Sequence, residues 1–536
     1  MKFCKQAILK DLKTGSLIME LNVITSFKDL QLQRDSWTSI LAEKGNTIPF
    51  IEWDWINCWW KHYGHNFDLR VLQIIREEKI IGYVPLIKEK KRFYSSYSFM
   101  GKDKANYMDI IASSSDYEIV FTEGINWLKD QKENIIIEIN GIYAGPLKQQ
   151  LINDVIKEAG LHFFHENTPA PAIEFAGLEA ELFVKKRSRK HGMDRKEKKL
   201  RKHGKLYLKE IFLKDMDSIF YLHKKRWKDR RDTSGFSSET NINFFKELVQ
   251  LKSNTVVTCV DGLYFEDKLI AFYYGFQTRG RYLYYLPAHD DDFGVYSPGR
   301  LLMKEKVINC MDQETKTFDL SIGYESYKMD WANSVSYVSS FTLVNGRMFI
   351  KLGFSMLKLK QIIKGRMKKN KKLVMFIRNK TYKLRPISLL NKIFQMEMFY
   401  QYVWQENRDK RIVPEQKTMK DLDFICQATG KHKAEIINRF YKNDQCYMDN
   451  DKIVCWIKNI NSNPIIYDCN LKEIGTYSLP VTKLPYQIYS SYKSNDDHST
   501  YTGFHLEVRF AGKSFIISRK RKENHNDLHN SEQLDS

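Results

Sequence analysis

Apolar positions recur along the chain in two rhythms. Leu69 to Ile75, Ile135–Ile139, Val256–Phe265, the run ending at Leu286 and Thr317–Leu320 are short, rich in β-branched and aromatic residues, and predict strands. A further strand is expected near Tyr107–Ile111. Residues 116–131, residues 146–159 and the stretch from Pro298 to Cys310 carry apolar residues at helical spacing and predict helices. Helices alternating with strands make the fold class α/β, of the mixed α+β kind.

The pattern occurs twice. Glu77-Glu78-Lys79-Ile80-Ile81-Gly82-Tyr83 matches Glu266-Asp267-Lys268-Leu269-Ile270-Ala271-Phe272, each a charged turn leading into the second strand of a hairpin. An aromatic-rich helix precedes each, through Trp59-Trp60-Lys61 in one case and Phe244-Phe245-Lys246 in the other. Two matches in the same order predict a duplicated domain. The copies are expected at residues 18–177 and 178–348, followed by a basic helical connector at 349–404. Residues 405–520 read as a smaller C-terminal α+β domain, and the polar residues 521–536 as a frayed tail. Within that domain, Asp421–Cys426 and Glu435–Phe440 read as two short helices around Gly430. A plain helical hairpin is the commoner reading, and a DNA-binding helix-turn-helix the alternative.

The formal charge of +21 is concentrated in two places. Residues 185–205 carry +10 and residues 351–385 carry +13, so the rest is nearly neutral. Both are candidates for phosphate contact, the first with transfer RNA and the second, as a basic amphipathic helix, with an anionic membrane surface. Solvated helical faces are the bland alternative. No run approaches the roughly eighteen apolar residues of a membrane span, and the start of the chain shows no apolar signal core. Eight scattered cysteines without a Cys-x-x-Cys pair argue for reduced thiols and against a zinc ribbon. The expected location is the cytoplasm, with peripheral attachment to the inner membrane surface open.

Candidate chemistry gathers between Tyr282 and Trp331. A strand leads through His289-Asp290-Asp291-Asp292 to Ser297-Pro298-Gly299-Arg300, where Ser297 suits a helix N-cap and Gly299 allows close approach. A helix start with free N–H groups is a phosphate site, although Arg300-Leu301 excludes a Walker A loop. The histidine and aspartates are adjacent on a loop, which is poor metal-ligand spacing, and no metal is expected. Asp319 falls on a buried strand, where it is either paired, with Lys328 or Arg226, or a base of raised pKa; pairing is favoured.

The pairing of Ser297-Pro298-Gly299-Arg300-Leu301-Leu302 with Phe318-Asp319-Leu320-Ser321-Ile322-Gly323-Tyr324-Glu325-Ser326-Tyr327-Lys328-Met329-Asp330-Trp331 resembles the GNAT-type acetyltransferases of the CelD/BcsL group, named for cellulose biosynthesis. These are similar to the FemABX transferases, which carry two GNAT-like domains in one chain. Asn106-Tyr107-Met108-Asp109 and His223-Lys224-Lys225-Arg226-Trp227 add to the likeness, while the usual pyrophosphate loop is missing from both copies. The resemblance implies two tandem GNAT-like domains, each a mixed sheet flanked by helices, with acetyl-CoA as acyl donor. It implies donor contacts from Tyr284, Leu286, Ser297, Gly299 and Arg300, and an acid at Tyr324 or Tyr327. Lys328 would touch phosphate or acceptor, Asp319 would complete the catalytic set, and Asp109, Arg226 and Trp227 would line the acceptor cleft. The implied reaction moves an acyl group to an amine or hydroxyl of a sugar or cell-envelope polysaccharide precursor. A FemABX-like transfer from aminoacyl-tRNA is the enzymatic alternative. A nucleic-acid-binding regulator acting through the C-terminal hairpin, and a non-catalytic scaffold, are the others. Acceptor identity and oligomeric state stay open.

Overall fold

The structure is a computed structural model and describes residues 4–8, 18–228, 234–313, 315–346, 394–404, 412–460, 463–469, 486–490, 499–510 and 513–520. The first half runs β1 (Cys4–Ile8), β2 (Met19–Ile24), α1 (Phe27–Gln31), α2 (Arg34–Glu43), α3 (Trp53–Tyr63), β3 (Asp68–Arg76), β4 (Lys79–Lys90), β5 (Ser95–Phe99), β6 (Ile111–Ala112), α4 (Tyr117–Lys129), β7 (Ile135–Ala144), α5 (Pro146–Glu158) and β8 (His162–Glu174). The second runs α6 (Ala180–Lys190), α7 (Met193–Arg201), β9 (Leu206–Glu210), α8 (Met216–Trp227), α9 (Glu239–Gln250), β10 (Val257–Phe265), β11 (Lys268–Thr278), β12 (Arg281–His289), α10 (Pro298–Asp312), β13 (Thr317–Asp319), α11 (Ser326–Trp331) and β14 (Ser334–Asn345). The strands form one mixed sheet of fourteen, flanked by helices.

The charged turns behave alike in both halves. Arg76 pairs with Lys79 across Glu77-Glu78, and Phe265 with Lys268 across Glu266-Asp267. Each hairpin then slips register near its turn, leaving Ile81 in one and Ile270 in the other as the extra residue of a β-bulge. These are equivalent positions of the repeated sequence, so the duplication extends to an irregularity of the backbone.

The strand expected at Tyr107–Ile111 forms only as the two-residue β6 and an isolated bridge at Met108. Residues 185–205 also differ from expectation. Gly192, at φ +60°, breaks them into α6 and α7.

Each half lends its last strand to the other. Through the middle of the sheet the order is β7-β14-β8-β13, every contact antiparallel. Apart from Lys196–Lys205 and Asp291–Tyr296, both halves fall within one compact unit, Met1–Arg195, Leu206–Asp290 and Ser297–Arg366. Their aromatic helices share a core, in which Trp55 and Tyr63 of α3 meet Phe244 of α9 edge-on at 5.8 and 5.2 Å between ring centroids.

The second unit comprises Lys196–Lys205, Asp291–Tyr296 and Met367–Ser536. It contains β15 (Phe394–Trp404), β16 (Glu415–Lys417), α12 (Leu422–Thr429), α13 (Lys433–Tyr441), β17 (Gln445–Asp449), β18 (Lys452–Ile460), β19 (Asn463–Tyr467), β20 (Tyr486–Ser490), β21 (Ser499–Phe510) and β22 (Lys513–Lys520), with the strands in one eight-stranded sheet. Gly430, at φ +64°, ends α12 as a left-handed cap, as the glycine turn predicts. Residues 394–404, expected to end a helical connector, are instead strand β15. The basic stretch at 351–385 and the tail at 521–536 lie outside the described residues. A cavity of about 520 Å³ in this unit is lined in part by Arg201, Lys202, His203, Lys417, Lys420 and Asp444.

Candidate active site

β12 and β13 run parallel, but only Arg281–Leu283 pair with Thr317–Asp319. β13 ends at Asp319, opposite Leu283, and beyond that pair this edge of β12 has no strand partner among the described residues. The other edge stays bound to β11, with a bulge at Tyr285 between the pairs Tyr274–Leu286 and Gly275–Tyr284. Gly275 is required there, because a Cβ would sit 2.5 Å from the Leu283 carbonyl oxygen. The Tyr285 hydroxyl donates to Lys104 O at 2.5 Å and anchors the bulge.

The corresponding edge in the first half is closed by a further bridge. β5 and β7 pair from Ser95–Ile135 to Ser98–Glu138, after which Met108 bridges to Ile142 and its N–H donates to Gly141 O at 2.8 Å. Its helix α4 begins with Asp116, held by Arg76 at 2.9 Å and by the Ser113 hydroxyl at 2.9 Å, and carries Glu118 in its first turn. Negative charge at that helix start disfavours phosphate. The open edge therefore belongs to the second half.

Three tyrosines and a cationic pair surround it. The Tyr273 hydroxyl donates to Gly299 O at 2.5 Å, and the Tyr273 and Tyr284 rings meet edge-on at 4.4 Å. Tyr327, from α11, donates to the Tyr284 hydroxyl at 3.4 Å. Burial raises all three phenols: Tyr327 to about 12, Tyr273 and Tyr284 well above the usual range. Each is thus a proton donor at neutral pH. The Arg226 guanidinium donates to His289 Nδ1 at the end of β12. A Cβ on Gly299 would lie 3.1 Å from that same nitrogen, so the helix start and the histidine are in close approach.

The start of α10 is less open to anions than its sequence suggests. Ser297 is left-handed, at φ +57°, and caps with its backbone rather than its side chain. Arg300 N and Leu301 N both donate to Ser297 O, at 2.9 and 3.2 Å, and Pro298 has no N–H. Positive charge comes from side chains instead, with Lys190 and Arg300 reaching Asp330 at 2.6 and 3.9 Å, while His191, 3.1 Å from the same carboxylate, has its pKa lowered by burial.

Several expected residues stand elsewhere. Asp319 is fully buried but pairs with Arg281, not Lys328 or Arg226. It accepts from Arg281 Nε and Nη2 at 2.9 and 2.5 Å, from the Tyr107 hydroxyl at 2.7 Å and from Ser321 N at 2.7 Å. Burial opposes the Arg281 charge, yet Asp319 overrides it and raises the arginine's pKa. Both carboxylate oxygens of Asp319 are thus occupied by hydrogen bonds. Lys328 is buried and turned onto its own loop, donating to Ile322 O at 2.6 Å with Glu325 at 3.3 Å; burial lowers its pKa. Tyr324 is 70% exposed and donates to Asn167 O at 3.3 Å, away from the phenol cluster.

Asp109, expected to line a cleft, is buried. Lys44 at 3.0 Å, Lys148 at 2.6 Å and the Tyr117 hydroxyl at 2.9 Å enclose it, and burial's upward push is overcome by the two lysines, which hold it down at about 2. Trp227 stacks on His223 at 5.7 Å, and Leu286 is half-buried on the open edge of β12. Sequence reasoning missed Arg281, Tyr273 and the approach of His289 to Gly299. Tyr107 was visible within its motif, whose use is now plain: Asn106 donates to the Ser321 hydroxyl at 2.7 Å while Tyr107 holds Asp319, clamping the first half onto the second.

Residues 187–329, which span Arg226, the open edge, α10 and Tyr327, match the family model described as an acetyltransferase (GNAT) domain. Solved structures similar to the chain include a conserved protein of unknown function from Bacteroides thetaiotaomicron, at 11% identity over 59% of this chain and 97% of that one, TM-score 0.40. FemX is similar at 9% identity over 57% and 95%, TM-score 0.42. A tandem GNAT protein from the clavulanic acid biosynthesis pathway is similar at 9% identity over 61% and 98%, TM-score 0.38. No curated protein matches the chain. The phenol cluster and the Arg226–His289 pair fall within the matched residues. No helix among the described residues is long and apolar enough to cross a membrane.

Proposed function

We infer that the chain is an acyltransferase whose second half holds acetyl-CoA along the open edge of β12, with Tyr327 as the acid. The observation that carries this is the edge of β12 left unpaired beyond Leu283 inside the GNAT-matched residues, with the Tyr327 phenol hydrogen-bonded to Tyr284 on that strand. Backbone groups of Tyr284 and Leu286 would hold the donor's extended arm, as an added strand is held. Gly299 lacks the Cβ that would crowd His289, and Arg226 and Arg300 would supply charge for phosphates in place of the missing loop. The bound thioester supplies the acyl group. Tyr327 keeps its proton at neutral pH and holds it at Oη, hydrogen-bonded to Tyr284, ready for a departing thiolate. Asp319 and Arg281 act at a distance from this, fixing the end of β13 against the first half. An amine or hydroxyl of a sugar or cell-envelope polysaccharide precursor is the proposed acceptor class, in keeping with the CelD/BcsL likeness. Steady-state release of free CoA from acetyl-CoA across a panel of amino sugars and polyol glycosides tests this. Turnover with any of them supports the reading, and none across the panel removes the sugar assignment.

Transfer from aminoacyl-tRNA is a second reading, favoured by the cavity in the C-terminal unit where Arg201, Lys202, Lys417 and Lys420 bring positive charge together. Transfer of labelled amino acid from charged tRNA separates the two.

A further inference from the structure

The paired aromatic helices of the two halves carry a cluster that the acyltransferase reading does not use. Cys58 and His62 stand one turn apart on α3 and so share a face. Glu247, on α9, meets that face: its carboxylate lies 2.9 Å from His62 Nε2. One ligand atom each from Cys58, His62 and Glu247 lie within 4.8 Å of one another. We propose that Cys58, His62 and Glu247 form a zinc-class metal site that fastens α3 to α9.

The donor set carries the choice of metal. A thiolate, an imidazole and a carboxylate together suit zinc and its tetrahedral substitutes, whereas magnesium and calcium take oxygen alone. Two anionic ligands balance a dication. Three protein ligands leave a fourth position for water. The frame is already rigid, since the Tyr63 hydroxyl donates to Asn241 at 2.8 Å and the His62 and Tyr63 rings both pack edge-on against Phe244. Lys61 competes for Glu247 at 2.9 Å, but it is 66% exposed and free to swing into solvent once a cation takes over its role. Binding converts the Cys58 thiol to a metal thiolate, and its proton passes to buffer. The site joins equivalent helices of the duplicated halves, so its consequence is to lock one half on the other. The alternative is that Glu247 forms an ion pair with Lys61 and His62 and nothing more.

The test uses the full chain, purified without a polyhistidine tag, stripped with chelator and titrated with Co2+ and then Zn2+. One equivalent of Co2+ is expected to produce thiolate-to-cobalt charge-transfer absorption that Zn2+ abolishes. Cys58→Ser should remove the absorption, and Glu247→Gln should weaken cobalt binding at least about tenfold. No absorption at stoichiometric metal overturns the proposal, as does absorption that survives Cys58→Ser. Should Cys58→Ser fail to fold by circular dichroism, His62→Gln decides: unchanged cobalt binding in that variant rejects the site, and loss supports it.

Discussion

Replacing Asp319 with asparagine asks whether this carboxylate anchors the fold or performs chemistry. The side chain is fully buried, Arg281 is 12% exposed, and four hydrogen bonds from Arg281, Tyr107 and Ser321 saturate the two oxygens. Asparagine keeps the shape but turns an N–H2 toward donors and leaves the arginine charge unmatched. Removing one partner of a buried ion pair costs about 3–5 kcal/mol. Against a total stability of about 5–15 kcal/mol, that is a large share. Urea unfolding at neutral pH, followed by tryptophan fluorescence, reads the loss as a lower midpoint. Arg281→Met in the same chain takes away the stranded cation, and the double variant should recover about 1–3 kcal/mol relative to additivity. An anchoring role is excluded if Asp319→Asn leaves the midpoint unchanged while turnover falls by about a hundredfold or more, the signature of a base.

Tyr327→Phe should lower kcat by about a hundredfold with KM little changed, whereas Tyr324→Phe should leave both alone; steady-state kinetics on the two variants distinguishes them. Because the Tyr327 acid works in its protonated form and its pKa is pushed up to about 12, no alkaline loss of rate from this group is expected through about pH 10. Asp109 has a folded pKa of about 2, below the 3.8 of the free group, so it stabilises above 3.8 and that contribution fades as pH falls toward 2. The shift corresponds to about 2 kcal/mol, and Asp109→Asn should flatten the acid end of a urea-midpoint profile accordingly. Truncation before Ser334 removes the strand between β7 and β8 and should leave the first half as unstable as the second, read by proteolysis of each half.

Much of the fold is local and therefore legible. The charged turns, the alternation of strand and helix, and Pro298 at the first position of α10 all depend on neighbours in sequence. The strand exchange does not. Nothing in Ser334–Asn345 distinguishes a strand that closes its own half from one that pairs with Ile135–Ala144, because the alternation is the same for either partner. The site divides in the same way. Its motif marks the correct stretch, but Arg281 lies 38 residues from Asp319 and Tyr107 lies 212 away, so their shared network comes from topology alone. Lys328 and Tyr324 mislead for a related reason. Spacing on a short helix does not reveal that the loop before it folds back under Lys328 and leaves Tyr324 outside. The Cys58–His62 spacing is visible in sequence, whereas Glu247 arrives only because the duplicated helices pack together.

Calorimetric titration of the purified full chain with acetyl-CoA, beside free CoA and ATP, reads donor binding by the second half. The expected result is one-site micromolar binding of acetyl-CoA that Gly299→Glu abolishes with the circular dichroism spectrum intact, because the added carboxylate meets His289 and repels phosphate. No binding by a folded chain, or binding indifferent to Gly299→Glu, contradicts the placement of the donor between β12 and α10.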